Sequence, residues 1–329
     1  MTRNFICKII TLLISAAVTL GASSVLAQER SIFGQKISEE IKLEHESEFK
    51  GARKVAISAF NVAFPSENHF TASAKSTSIF GGYTSSAEQS MDATMTGVDK
   101  ATQQRITDKA YALFVSTLTA AGFEVVDQAE LAKLAPEFAK WESSPNFSVG
   151  RYGAYVAPTG LSLRFLRGDA AKRDTSGIFG NLSAASRTFD SPLAFSRSPY
   201  VAHDAHLGLI AVTLVVDFGT FTRSTPGGNA LTTFSEGVAI GAGNVLDSSS
   251  LLYYWGTDSG GFPAHAHVQK PIQSKLEFAD VKRISETIKK GVGSKIVTVT
   301  ADPLKFETAA DEVVGLAIPK LVNAIYVSK

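Results

Sequence analysis

Six histidines are spread along this 329-residue chain, and four of them fall in two close pairs. His203-Asp204-Ala205-His206 spaces its histidines three apart, and His265-Ala266-His267 spaces them two apart. Two residues two apart on a strand face the same way, so His265 and His267 are placed to share a metal ion. His203, His206 or Asp204 could complete a nitrogen and oxygen donor set. The alternative is ordinary histidine in loops flanked by Pro199 and Pro263, because neither spacing matches an H-E-x-x-H zinc motif. A second cluster, Tyr253-Tyr254-Trp255, is apolar and aromatic. Such rings stack on sugars or peptides, or pack a core.

Other chemistries lack their residues. Gly241-Ala242-Gly243-Asn244 is a G-x-G fragment without a third glycine, so it reads as a turn. No phosphate-binding loop, G-x-S-x-G elbow or serine-histidine-acid pattern is legible. The acidic pairs Glu39/Glu40 and Asp311/Glu312 read as solvated faces, and Arg167-Gly168-Asp169 as a chance match. Neither a catalytic residue nor a cofactor is expected, and the less favoured enzymatic reading is a metal-dependent hydrolase using the four paired histidines.

The first 27 residues set the compartment. Arg3 and Lys8 precede the apolar run Ile9–Ala17, and Val25-Leu26-Ala27 closes the segment before Gln28. This pattern is that of a secretory signal peptide; an uncleaved anchor helix is the competing reading. The single cysteine, Cys7, lies inside it, so the mature chain has no thiol, disulfide or lipid-attachment cysteine. Of 32 Lys and Arg, Arg3 and Lys8 leave with the leader, giving a charge near −1 against 31 Asp and Glu. That balance offers no attraction for nucleic acid. No later run of 18 apolar residues suggests a membrane helix.

Gln28–Arg53 is polar, a lead-in that could hold a short helix, and a single domain is expected over 54–329 with insertions at 68–97 and at 141–200, the latter reading as irregular. Strands are expected at Lys54–Phe64, Phe123–Asp127, His206–Phe221, Ala230–Ala242 and Lys295–Thr300, with strand candidates in Tyr152–Phe165. Helices are expected at Asp99–Gly122, Ala129–Lys140 (interrupted at Pro136), Asp280–Gly291 and Pro303–Tyr326, the last kinked at Pro319. This order predicts an α/β (α+β) fold: a mixed sheet flanked by amphipathic helices. Asn68–Gly97 is rich in Ser, Thr and Gly. Phe70 and Phe80 precede Gly81-Gly82, and Tyr83, Met91 and Met95 share one parity after it. That spacing suits a long β-hairpin; a polar loop is the alternative.

Gly122-Phe123-Glu124-Val125-Val126-Asp127, followed by Ala129-Glu130-Leu131-Ala132-Lys133-Leu134, resembles the curli-secretion-channel (CsgG-like) family and related Tol-type N-terminal domains. Lys54–Phe60 is similar to that family's first strand, and Ile210–Asp217 to a later one. The resemblance touches about a third of the chain and rests on hydrophobic pattern. It implies a non-enzymatic, homo-oligomeric protein of the periplasm or outer membrane, acting in export or envelope assembly with an envelope or exported protein as partner. In channel members, hairpins from each subunit form a shared outer-membrane barrel, the role that Phe70, Phe80, Gly81, Gly82, Tyr83, Met91 and Met95 would then serve. Two departures stand out: the missing lipid-attachment cysteine, and a hairpin placed before the first long helix. A soluble peptide- or glycan-binding module using Tyr253, Tyr254 and Trp255 is the alternative from a different class.

Overall fold

The computed structural model describes residues 39–45, 52–77, 84–141, 143–149, 153–164, 192–224, 231–240, 250–257, 263–289 and 292–327. Met1–Ala27, read from the sequence as a signal peptide, and Phe80, Gly81, Gly82 and Tyr83, expected at a hairpin turn, lie outside them. The described residues all belong to one compact unit, Ser38–Lys329. It is a mixed α/β structure with two mixed sheets and five helices among the described residues.

The larger sheet is built on two long apolar strands, β2 (Lys54–Pro65) and β8 (Gly208–Ser224), which run parallel from Val55↔Gly208 to Ala63↔Val215. Every residue of β2 after Lys54 is buried, as expected of a strand covered on both faces. Beyond β8 come β10 (Leu251–Trp255), β11 (Ala264–Val268) and the edge strand β1 (Ile41–Glu44), all antiparallel. On the far side of β2 lie β5 (Glu124–Val126), parallel, then β7 (Gly153–Val156) and β6 (Phe147–Val149). β9 (Leu231–Ile240) extends the sheet from the outer half of β8 and carries the two-residue β12 (Ile272–Gln273).

Helices cover both faces. Ala56, Leu209, Ala211, Tyr253 and Trp255 pack against Leu131 of α2 (Gln128–Leu134), Phe138 of α3 (Pro136–Ala139), and Val201 and Ala202 of α4 (Pro192–Ala205). On the opposite face Phe60 meets Phe114 of α1 (Lys100–Ala120) at a ring distance of 5.6 Å. α5 (Pro303–Val327) lies beside α1, joined by Arg105 and Lys109 to Glu307 and by Lys109 to Asp311. Each long helix has an aspartate at its start: Asp99 accepts from Thr102 N, and Asp302 accepts from Leu304 N and Lys305 N. α5 runs through Pro319. None of the described helices is long and apolar enough to cross a membrane, which says nothing of strands.

Three sequence expectations fail. Asp280–Gly291 is not a helix; Ala279–Lys289 is strand β13, laddered to β14 (Val292–Ala301) through ten residue pairs. Its charged, helix-compatible residues yield to that pairing, since strand preference is set largely by context. The segment 141–200 is not irregular throughout, because α4 starts at Pro192 and continues past Pro199. The polar lead-in holds a strand, β1, rather than a helix.

The second sheet has the order β13-β14-β4-β3, with β3 spanning Glu67–Thr77 and β4 Thr84–Thr96. β3 and β4 pair antiparallel from Glu67↔Thr94 to Thr77↔Thr84, and β4 runs parallel to β14. Two hairpin-like strand pairs, some 200 residues apart in sequence, thus join along one seam. Gly97 and Ala301 end that seam together and lead into α1 and α5. Gly97 has φ +98°, and a Cβ there would sit 2.2 Å from the Ala301 carbonyl oxygen, so the junction needs glycine.

Candidate functional site

Two regions combine unusual geometry with chemistry-bearing side chains. The first is the second sheet and its seat on the core. Its inner face carries Phe70, Ala72, Met91, Ala93, Met95, Val297 and Val299, all buried. Phe70, Met91 and Met95 therefore pack within this chain and are not offered to lipid, because β3 and β4 lie against β8 and β9. The parity read from the sequence marks an inside face, as alternating apolar residues do in any half-buried strand.

Polar side chains fix the seat. Asn68 of β3 donates from Nδ2 to Asp217 Oδ1 at 2.7 Å, and Phe218 N donates to the same oxygen at 2.8 Å. Asp217 is buried at a bulge of β8, and burial pushes its carboxyl up to about 6. Gln89 of β4 accepts from both the backbone N–H and the hydroxyl of Thr232 on β9. Lys295 of β14 reaches the Thr232 carbonyl. The hairpin strands are thus fixed to the core at Asn68, near their base, and again at Gln89 and Lys295, farther along the seam. Their far ends differ: β14 begins opposite Glu88, while β3 and β4 continue through four further pairs, Ala74↔Ala87 to Thr77↔Thr84, with no third strand paired to them among the described residues.

The second region is the face of the large sheet at its β1 edge. The register sets Glu44 directly opposite His265, and His265 directly opposite Tyr253. Ala264, Ala266 and Val268 point into the core, which turns His265 and His267 to the other face. His265 Nε2 lies 2.9 Å from Glu44 Oε2, and the two imidazole rings stack at 6.0 Å. One ligand atom from each of Glu44, His265 and His267 falls within 4.8 Å of the others. Lys42, on the same strand as Glu44, donates to its other oxygen at 2.6 Å. That bond, with the nearby histidines, holds the Glu44 carboxyl below its ordinary value against some desolvation. His267 is shifted down, chiefly by burial, with Glu44 opposing the shift and His265 and Lys42 adding to it, so it favours the neutral form.

The other histidine pair is elsewhere. His203 lies in the last turn of α4, and His206, at φ +52°, turns the chain into β8. Their rings are 6.1 Å apart, and His203 Nδ1 contacts Asp204 at 3.3 Å. Neither belongs to the Glu44 group. Sequence reasoning missed Glu44. The alternation Ile41-Lys42-Leu43-Glu44 signals a strand, but nothing local shows that it pairs with residues more than 200 positions on.

The aromatic cluster is interior. Tyr253, Tyr254 and Trp255 are 9%, 1% and 0% exposed, and Tyr254 points to the face opposite its two neighbours. Trp255 meets the Phe195 ring edge-on at 5.6 Å. These rings are packing, and no binding surface is formed by all three, because successive strand residues cannot share a face.

Comparison with protein-family models, with curated proteins and with solved structures finds no match.

Proposed function

We propose that this chain is an exported envelope protein that works by assembling with copies of itself, in export or envelope construction, rather than by catalysis. The leader-like Met1–Ala27 supports export to the periplasm or the outer membrane, and its lack of a cysteine at the cleavage point supports a protein without a lipid anchor. The resemblance to the curli-channel family supports the assembly role. The observation that carries the reading is the second sheet. Its outer strands β3 and β13, eleven residues each, pair with one neighbour apiece among the described residues. A long strand edge is a template for another chain.

The strand directions say what kind of contact would follow. β3 opposes β4, β4 follows β14 and β14 opposes β13, so both edges run the same way. Joining β13 of one copy to β3 of the next is a heterologous contact that repeats and closes into a ring when the rotation closes. Val281, 39% exposed on the edge strand β13, would gain cover. Exposed Asp280 and Lys282 on β13 would restrict which edge is accepted.

Engineered cysteines test the contact cleanly, because the mature chain has no thiol of its own. Thr71→Cys on β3 and Lys282→Cys on β13 lie three strand spacings apart and four residues out of register within one copy, roughly 19 Å. A shorter bis-thiol linker therefore joins only neighbouring copies. The expected result is a ladder of covalent oligomers from the double variant. Monomer alone, at concentrations where the protein is otherwise intact, would count against the edge-to-edge reading.

A further inference from the structure

We propose that Glu44, His265 and His267 form a binding site for a borderline divalent cation, with zinc the ion their donors suit best. This inference stands apart from the assembly reading and uses a different part of the molecule. Two imidazole nitrogens and one carboxylate oxygen are a common zinc donor set. Ligands at about 2.0–2.2 Å from a tetrahedral ion stand roughly 3.4 Å from one another. Glu44 Oε2 and His265 Nε2 already stand at 2.9 Å, and all three donors lie within 4.8 Å. Rotamer adjustment suffices to close on an ion, with no movement of the backbone.

The frame that holds the donors is rigid where it needs to be. His265 and His267 stand on β11, which is paired on both sides, to β10 and to β1. Glu44 comes from β1 in direct register with His265. Side-chain exposures of 21% for His265 and 37% for Glu44 leave the donors partly desolvated yet reachable. Lys42 occupies Glu44 Oε1 and leaves Oε2 turned toward the histidines. Three protein ligands leave at least one position for water. The ion would also act as a clip. β1 is the edge of the sheet and pairs only with β11 among the described residues, so a ligand from each strand fastens this edge.

The test is equilibrium dialysis of the full mature protein against zinc chloride, followed by metal analysis and thermal melting. Wild type should retain about one zinc per chain and melt higher with zinc, since an ion that binds only the folded state stabilises it. His267→Ala and the isosteric Glu44→Gln should each lose the retained zinc and the shift. A His203→Ala, His206→Ala double variant should keep both. Melting without zinc shows that each variant is folded, and Glu44→Gln leaves the backbone pairing of β1 undisturbed. A wild type that retains no zinc, or equal retention by His267→Ala and Glu44→Gln, would overturn the site.

Discussion

Trp255→Ala is expected to lower the stability of the mature protein by about 3–5 kcal/mol, the range for truncating a large buried aromatic. The side chain is fully buried between the sheet and α4, with Phe195 against one edge and Tyr253 beside it, 5.6 Å away. Removing it leaves a cavity on the face that α2, α3 and α4 cover. Its indole Nε1 is buried without a hydrogen-bond partner among the described residues, so that N–H contributes nothing that phenylalanine would lose. Trp255→Phe should therefore cost much less, about 1–2 kcal/mol, from lost volume alone. Urea unfolding of the two variants measures this. A Trp255→Ala protein as stable as wild type would restore the reading of this residue as a ligand-stacking ring.

The second large effect is on pH dependence, and it sits where the second sheet meets the core. Asp217 has its carboxyl raised to about 6 by burial, against roughly 3.9 in an unfolded chain. The folded state therefore binds this proton more tightly. The resulting stability is fully present below about pH 4 and is lost as pH rises through 6. For this group alone, stability should rise by about 1 kcal/mol between pH 7 and pH 5, and by at most about 3 kcal/mol overall. Asp217→Asn keeps an oxygen to accept from Asn68 and Phe218 but carries no charge. It should be more stable than wild type at pH 7 by about 1–3 kcal/mol, with the difference shrinking toward zero near pH 4. Carboxylates held low, such as Glu307 beside Arg105 and Lys109, titrate the opposite way but cancel in the comparison. Parallel pH profiles for the two proteins would contradict the account.

Much of the α/β framework was legible because it is local. Lys54–Phe64 and His206–Phe221 are apolar enough to demand burial, and Asp99 and Gly122 bracket α1 with ordinary start and stop signals. What failed depended on distant partners. The β13 residues Ala279–Lys289 become a strand because β14 offers ten pairing positions. The aromatic triplet looked like a binding patch until the alternation of β10 sent Tyr254 to one face and its neighbours to the other. His265 and His267 were legible as a pair by spacing. Their third partner was not, because Glu44 arrives through a strand added from the other end of the chain. The hairpin arms showed their parity, but parity alone does not say whether the apolar side meets lipid or protein. Phe70, Met91 and Met95 meet protein.

The central claim is self-assembly of an exported subunit, and its most direct test is mass. Cells are separated into membrane and periplasmic fractions, and the protein from each is sized by light scattering, with detergent for the membrane fraction. The account predicts a discrete assembly, a whole multiple of the roughly 32 kDa expected once the leader is removed. A soluble monomer of that mass, unchanged over a wide range of concentration, would contradict it.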